Sequence, residues 1–226
     1  MIAGSEQPVA MVAVIDDDLG IRDSLSTLFR SVGHWVETFE TTQAYLSRET
    51  GADPDCIVLD IRMPGRNGLD LQDYLAKRGD QTSIVILSGY ADVRMSVRAM
   101  KAGATEFLVK PVRAQDLLDA VEFAISRTRS IRSKVQKLAD LKASFDALTT
   151  REREIFQHVA GGAMNKNIAA AIGLSEATVK VHRGNVMRKM RARSLADLVR
   201  KADQLGYVEP ACTSFRERTT VRTSVA

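Results

Sequence analysis

The sequence predicts an α/β domain with a doubly wound, five-stranded parallel sheet, followed by an all-α domain of four short helices. Three observations point there. Five short apolar runs alternate with amphipathic segments in the first half of the chain. The charge changes sign along the sequence: residues 1–125 carry 12 Lys+Arg against 19 Asp+Glu, net −7, and residues 126–226 carry 20 against 9, net +11. Residues 146–207 break into four helical stretches, each with a recognisable start or stop. These give a first domain over 8–125, a helical linker over 126–145, a second domain over 146–207 and a tail over 208–226.

A chain of 226 residues with 45% hydrophobic and 27% charged side chains suits two ordinary globular domains. The apolar run 9–15 is far too short to span a bilayer, and no basic segment or small-residue cleavage pattern precedes it. No membrane association is expected. The two cysteines, Cys56 in a strand and Cys212 in the polar tail, suit neither a bridge nor a zinc site, so the expected setting is a reducing cytoplasm. An acidic half joined to a basic half suggests two domains with different partners, the basic one meeting a polyanion.

The strands read as "VAMVAVI" (9–15), "HWVETF" (34–39), "CIVLD" (56–60), "SIVILS" (83–88) and "ATEFLV" (104–109). Nearly continuous apolar strands belong to a parallel sheet covered on both faces. Helical spacing appears at Ile21, Leu25, Leu28, Phe29 and Val32, at Leu69, Leu71 and Leu75, and at Val93, Val97 and Met100. Doubly wound sheets bind ligands outside the carboxyl ends of their strands. The first strand ends in Asp16-Asp17-Asp18, the third in Asp60, the fourth in Ser88-Gly89 and the fifth in Lys110-Pro111. An isolated Asp60 would read as a turn-capping residue. Acids, a hydroxyl and a lysine meeting at one rim read differently. Crowded carboxylates repel, and hard oxygen donors suit Mg²⁺, which would keep Asp60 ionised and nucleophilic. Lys110 and Ser88 would then face a phosphoryl group on Asp60.

On "IDDD", "LDIRMPGRNG", "LSG" and "KP", in that order, residues ~10–125 resemble the receiver domain of two-component response regulators, a CheY-like fold. The resemblance implies that Asp60 accepts phosphate from a sensor histidine kinase. It implies that Asp16, Asp17, Asp60 and the backbone carbonyl of Arg62 hold Mg²⁺, with Asp17 a direct ligand. Ser88 and Lys110 would contact the phosphoryl group, Phe107 would turn inward when Ser88 moves, and Arg62 and Tyr90 would tune the phosphoryl lifetime. Phe107 also reads as a plain core aromatic. Asp18 reads as a helix-start residue, and Lys110-Pro111 resembles the family's cis peptide. The fourth helix, ~91–102, would carry the dimer face of the phosphorylated state through Val97, Met100 and Lys101. Val97 and Met100 equally suit core positions of an amphipathic helix.

From Ala114 helical spacing continues through Val121, Ile125, Ile131, Val135, Leu138, Leu141, Phe145 and Leu148, with no Gly or Pro from 112 to 148. It predicts a long final helix running into the linker, its Arg and Lys residues forming a solvated face. In the second domain Thr149 and Glu152 form a capping box and Gly161-Gly162 ends the first helix. Asn165 is expected to cap the second helix, which Gly173 ends; Ser175 caps the third and Ser194 the fourth. The two helices around "GLS" match a helix-turn-helix. The third helix has Val179, Val186 and Met190 inside and Thr178, Lys180, Val181, His182, Arg183, Asn185 and Arg188 as candidate DNA contacts.

"LTTRE…NKNIAAAIGLSEATVKVH…VMRKM" resembles the LuxR-type helix-turn-helix of FixJ/NarL regulators over ~146–207. That resemblance implies that Lys180 and Val181 approach base edges while Thr178, Arg183 and Arg188 lie near the DNA backbone. His182 and Asn185 suit either role. Gly184 departs from the family's frequent basic or polar residue, which leaves the target preference open. The tail, rich in Thr, Ser and Arg, is expected to be disordered.

The resulting expectation is a non-enzymatic, phosphorylation-controlled transcription factor that binds promoter DNA as a homodimer, with RNA polymerase a further partner. Three alternatives stand: a receiver that masks the DNA-binding helices until phosphorylated, a constitutive DNA binder, and a stand-alone phosphotransfer enzyme.

Overall fold

The computed structural model describes residues 9–48, 53–63, 67–89 and 93–207. The tail expected to be disordered, Cys212 and Tyr90 lie outside these residues. The chain divides between Ser133 and Lys134 into two compact units.

In the first unit the apolar runs form β1 (Met11–Ile15), β2 (Trp35–Phe39), β3 (Cys56–Asp60), β4 (Ser83–Ser88) and β5 (Glu106–Val109). They pair in parallel in the order β2-β1-β3-β4-β5. Alternation of side chains across the pleat divides the core. Val12, Val14, Val58, Val85 and Leu87 pack with Leu25 and Phe29 of α1 (Leu19–Ser31) and with Leu117, Val121 and Ala124 of α5 (Ala114–Asp146). Ala13, Ile15, Ile57, Leu59, Ile84 and Ile86 face the other way, onto Tyr45 of α2 (Thr42–Leu46), Leu69, Leu71 and Leu75 of α3 (Gly68–Lys77) and Ala99 of α4 (Val93–Lys101). The short α2, capped by Thr41, is an element the sequence pattern did not resolve. Strands β1, β2 and β5 begin later than their apolar runs. Cys56 is fully buried, and desolvation pushes its thiol pKa up, so it is an inert packing residue.

The long final helix forms as expected, but its basic face is not simply solvated. Thr128 Oγ1 accepts from the Ser83 amide at 2.9 Å, capping the start of β4. Arg129 pairs with Asp55 at 3.0 Å, and Arg132 donates to the carbonyls of Asp53 and Pro54 and to Thr82. Arg127, Lys134 and Lys137 are exposed, as are Val135 and Leu138.

In the second unit Leu141, Phe145 and Leu148 join the core of α6 (Thr150–Ala160), α7 (Asn165–Ile172), α8 (Glu176–Lys189) and α9 (Leu195–Gln204). The Phe145 ring lies 5.2 Å from Phe156 and 4.6 Å from Tyr207, centroid to centroid. The Thr149–Glu152 capping box is present, and Ser175 and Ser194 accept from Thr178 N and Asp197 N. The expected Asn165 cap is not formed. Met164 holds the N-cap position without a side-chain bond, Asn165 is the first helical residue, and its oxygen serves Arg183 instead. Gly173 ends α7 at φ 69°, a conformation that glycine adopts without a Cβ penalty. No helix of the described residues is long and apolar enough to cross a membrane.

Candidate functional site

With this strand order the chain reverses its winding between β1 and β3, and a crevice opens beyond their carboxyl ends. Asp16 follows β1 there and Asp60 closes β3; both are buried. Lys110, just past β5, reaches back to both carboxylates, Nζ to Asp16 Oδ2 at 2.6 Å and to Asp60 Oδ2 at 2.9 Å. Burial alone would lower the Lys110 pKa. The hydrogen bonds and attraction of Asp16 and Asp60 outweigh it, and the pKa is raised above its ordinary value. One cation therefore holds two carboxylates that would otherwise repel.

The remaining oxygens are also held. Asp60 Oδ1 accepts from the Arg62 amide at 3.1 Å, and Asp16 Oδ1 accepts from the Asp18 amide at 2.9 Å. Asp18 is the N-cap of α1, accepting from Ile21 N, the helix-start role expected of it. Asp17 is exposed and projects no bond into this network among those described. Ser88 is fully buried at the end of β4, and its carbonyl accepts from the Lys110 amide at 2.8 Å. The Lys110–Pro111 peptide is cis. Phe107 is half-buried against the α2/α3/α4 side of the core, in register with Ile86. Arg62 is exposed.

Asp16, Asp17 and Asp60 each offer a carboxylate oxygen within 4.8 Å of the others. An all-oxygen donor set of this kind fits Mg²⁺, which takes one or two carboxylates and retains water. Val97 and Met100, each 46% exposed, stand on the outside of α4 with exposed Lys101, so the core alternative for these two does not apply.

Two contributors were not foreseen. Arg22, in the first turns of α1, donates through Nη1 to the Asp16 carbonyl at 2.6 Å and fixes the turn that presents the acids. Its position just after the acidic run was the available signal. Gly68 starts α3 against the strand end: a Cβ there would stand 2.3 Å from the Asp60 carbonyl oxygen. Only glycine permits that approach.

In the second unit α8 buries Val179 and Val186 and exposes Lys180, Val181 and Arg188. Thr178, His182, Arg183 and Asn185 are half-buried. Asn185 Oδ1 accepts from Arg188 at 3.3 Å, and His182 Nδ1 is enclosed with no partner among the described residues. Glu152, 4% exposed, receives Lys189 Nζ at 2.6 Å and so ties the end of α8 to the start of α6. Burial would raise the Glu152 pKa; the bonds from Lys189 and Thr149 overcome this and lower it.

Two families match this chain, "Response regulator receiver domain" over residues 12–122 and "Bacterial regulatory proteins, luxR family" over residues 146–202. Nodulation protein W of Bradyrhizobium diazoefficiens is 48% identical over 87% of both chains. Transcriptional regulatory protein FixJ of the same species is 38% identical over 87% of this chain and 96% of its own. The solved structure of response regulator StyR superposes with a TM-score of 0.80 at 43% identity, covering 86% of this chain and 98% of that one. An acid-and-lysine rim on one domain and a helix-turn-helix on the other agree with these matches, and the chain belongs to the two-component response regulators with a LuxR-type DNA-binding domain, a family of transcriptional regulators rather than enzymes.

Proposed function

We propose that Asp60 is the phosphoacceptor and that its phosphorylation by a sensor histidine kinase turns on binding to promoter DNA. The observation that carries this reading is the Lys110 bridge between buried Asp16 and Asp60 at the crevice of the sheet. An Asp60 carboxylate oxygen forms a bond to phosphorus as the P–N bond of the kinase's phosphohistidine breaks, and the imidazole leaves. Asp16, Asp17, Asp60 and the Arg62 carbonyl would hold Mg²⁺, which would supply positive charge to offset that of the phosphoryl oxygens. Lys110 exchanges a carboxylate for a phosphoryl oxygen, and Ser88 donates its hydroxyl to another. Phe107 follows Ser88 inward, and the α4 surface of Val97, Met100 and Lys101 becomes the homodimer contact.

Two copies then present two α8 helices to paired half-sites, and bivalency raises affinity with no new contact within either domain. Lys180 and Val181 approach base edges; Thr178, Arg183 and Arg188 approach phosphates; His182 and Asn185 complete the surface. We take 8–125 as the receiver, 126–145 as the linker and 146–207 as the DNA-binding domain, in a cytoplasmic protein that also meets RNA polymerase at the promoter.

The test compares the wild-type chain with Asp60→Ala after incubation with Mg²⁺ and a small acyl phosphate, reading intact mass and solution size. One added phosphoryl group and a larger species, both absent in the variant, are expected. Phosphorylation at unchanged size would replace dimerisation by release of the DNA-binding helices. No phosphorylation of wild type would overturn the reading.

A further inference from the structure

Arg183 stands at the middle of α8, among the candidate DNA contacts, and a free guanidinium is the best reader of guanine that a major-groove helix can carry. In this chain it is not free. Its Nη1 donates to Asn165 Oδ1 at 2.8 Å, across 18 residues of sequence, and the contact is partly buried. Asn165 is the first residue inside α7, one past the N-cap position from which an asparagine oxygen would serve the helix's own amides. The N-cap residue, Met164, makes no side-chain bond, and the Asn165 oxygen points across to α8.

A guanidinium is planar, so one fixed N–H sets the direction of the others. Bound sideways to α7, the Arg183 fork is held along the scaffold helix, the element of a helix-turn-helix that crosses the DNA backbone. Lys180 and Val181 stay exposed, outside the Arg183–Asn165 contact, and they retain access to the groove.

We propose that Asn165 is a positioning residue that withholds Arg183 from base edges and commits it to a backbone phosphate. Sequence discrimination on this helix then falls to Lys180 and Val181. The inference rests on the DNA-binding reading above.

The test uses the full-length chain, with Mg²⁺ and a small acyl phosphate present, and a duplex selected by wild type from a randomised library. Affinity is measured against salt, and the selection is repeated with each variant. Arg183→Ala should lower the slope of log K against log salt by about one phosphate contact, ~0.9, and leave the selected sequence unchanged. Arg183→Lys, which keeps the charge, should restore the slope. Asn165→Ala should weaken binding several-fold and shift the selected sequence towards guanine opposite the freed arginine. Asn165→Ser, too short to reach Arg183 yet a good helix-start residue, should do the same and guards against a folding defect. Asn165→Ala added to Arg183→Ala should change nothing further. The proposal is overturned if both Asn165 variants keep wild-type sequence, affinity and slope. It is also overturned if Arg183→Ala changes the preferred base at an unchanged slope. Wild type without salt-dependent, sequence-selective binding would overturn the DNA-binding reading itself.

Discussion

A methyl group added at Gly68 would lie 2.3 Å from the Asp60 carbonyl oxygen and 3.1 Å from the Asp60 carbonyl carbon and the Ile61 Cα. Contact between such atoms is comfortable only at roughly 3.3–3.5 Å, so Gly68→Ala demands a movement of about 1 Å. Strand β3 cannot slide, because it is paired on one side to β1 and on the other to β4. The displacement must be shared between the start of α3, held by the Gly68 amide on the Ile61 carbonyl at 3.1 Å, and the Asp60–Ile61 peptide. Overpacking of this size costs about 1–3 kcal/mol. Moving the Asp60 carboxylate by even part of 1 Å opens its 2.9 Å bond to Lys110, and misplacing a reacting group by 1 Å costs roughly 10²-fold in rate. The assay is the rate of phosphoryl uptake from a small acyl phosphate, followed by intact mass, beside urea unfolding. Gly68→Ala should unfold at lower urea and take phosphate at least ten times more slowly. A variant with wild-type midpoint and wild-type rate would refute the reasoning. It would mean that the start of α3 can retreat without disturbing the acid.

Gly184, in α8 with open space around its Cα, should respond in the opposite sense: Gly184→Ala should stabilise the second domain by about 0.5–1 kcal/mol in urea unfolding and leave phosphoryl uptake unchanged. Lys110→Ala leaves Asp16 and Asp60 unbridged and should lower stability by about 3 kcal/mol in magnesium-free buffer, with Mg²⁺ restoring more stability to the variant than it adds to wild type. Glu152 has a folded-state pKa below its unfolded value, so its contribution is full above about pH 4.5 and is lost as the pH falls through the lower, folded value. Glu152→Gln should be less stable at neutral pH and show a flatter acid limb, read by hydrogen exchange of the α6 amides. Asp55→Asn weakens the pairing with Arg129 and Arg132 and should speed amide exchange in residues 126–133 several-fold, about 1 kcal/mol of local opening.

Legibility in the sequence followed the range of the interaction. Continuous apolar runs declared β1, β3 and β4 because a strand buried on both faces has little room for polar side chains. Thr149, Ser175 and Ser194 declared helix starts because a cap bonds amides two or three residues on. The acids and lysine of the rim could be placed together once the strands were ordered, since each closes or follows a strand. Interactions that join distant segments left no local mark. Arg129 and Arg132 look like any solvated basic face until Asp55 and the Pro54 carbonyl are brought beside them. Asn165 looked like a cap because its oxygen's actual partner lies 18 residues away. Arg22 bonds a carbonyl, which no side-chain pattern announces, and α2 is too short to show a period.

The tilted contact between the Phe145 and Tyr207 rings puts the end of α5, where the four short helices begin, next to the last described residue. A module whose entrance and exit adjoin can be spliced into a host loop, or joined head to tail and reopened elsewhere, with little strain on its interior. A fluorophore attached at Tyr207 itself would report on the junction between the end of α5 and the four short helices rather than on the face that α8 presents.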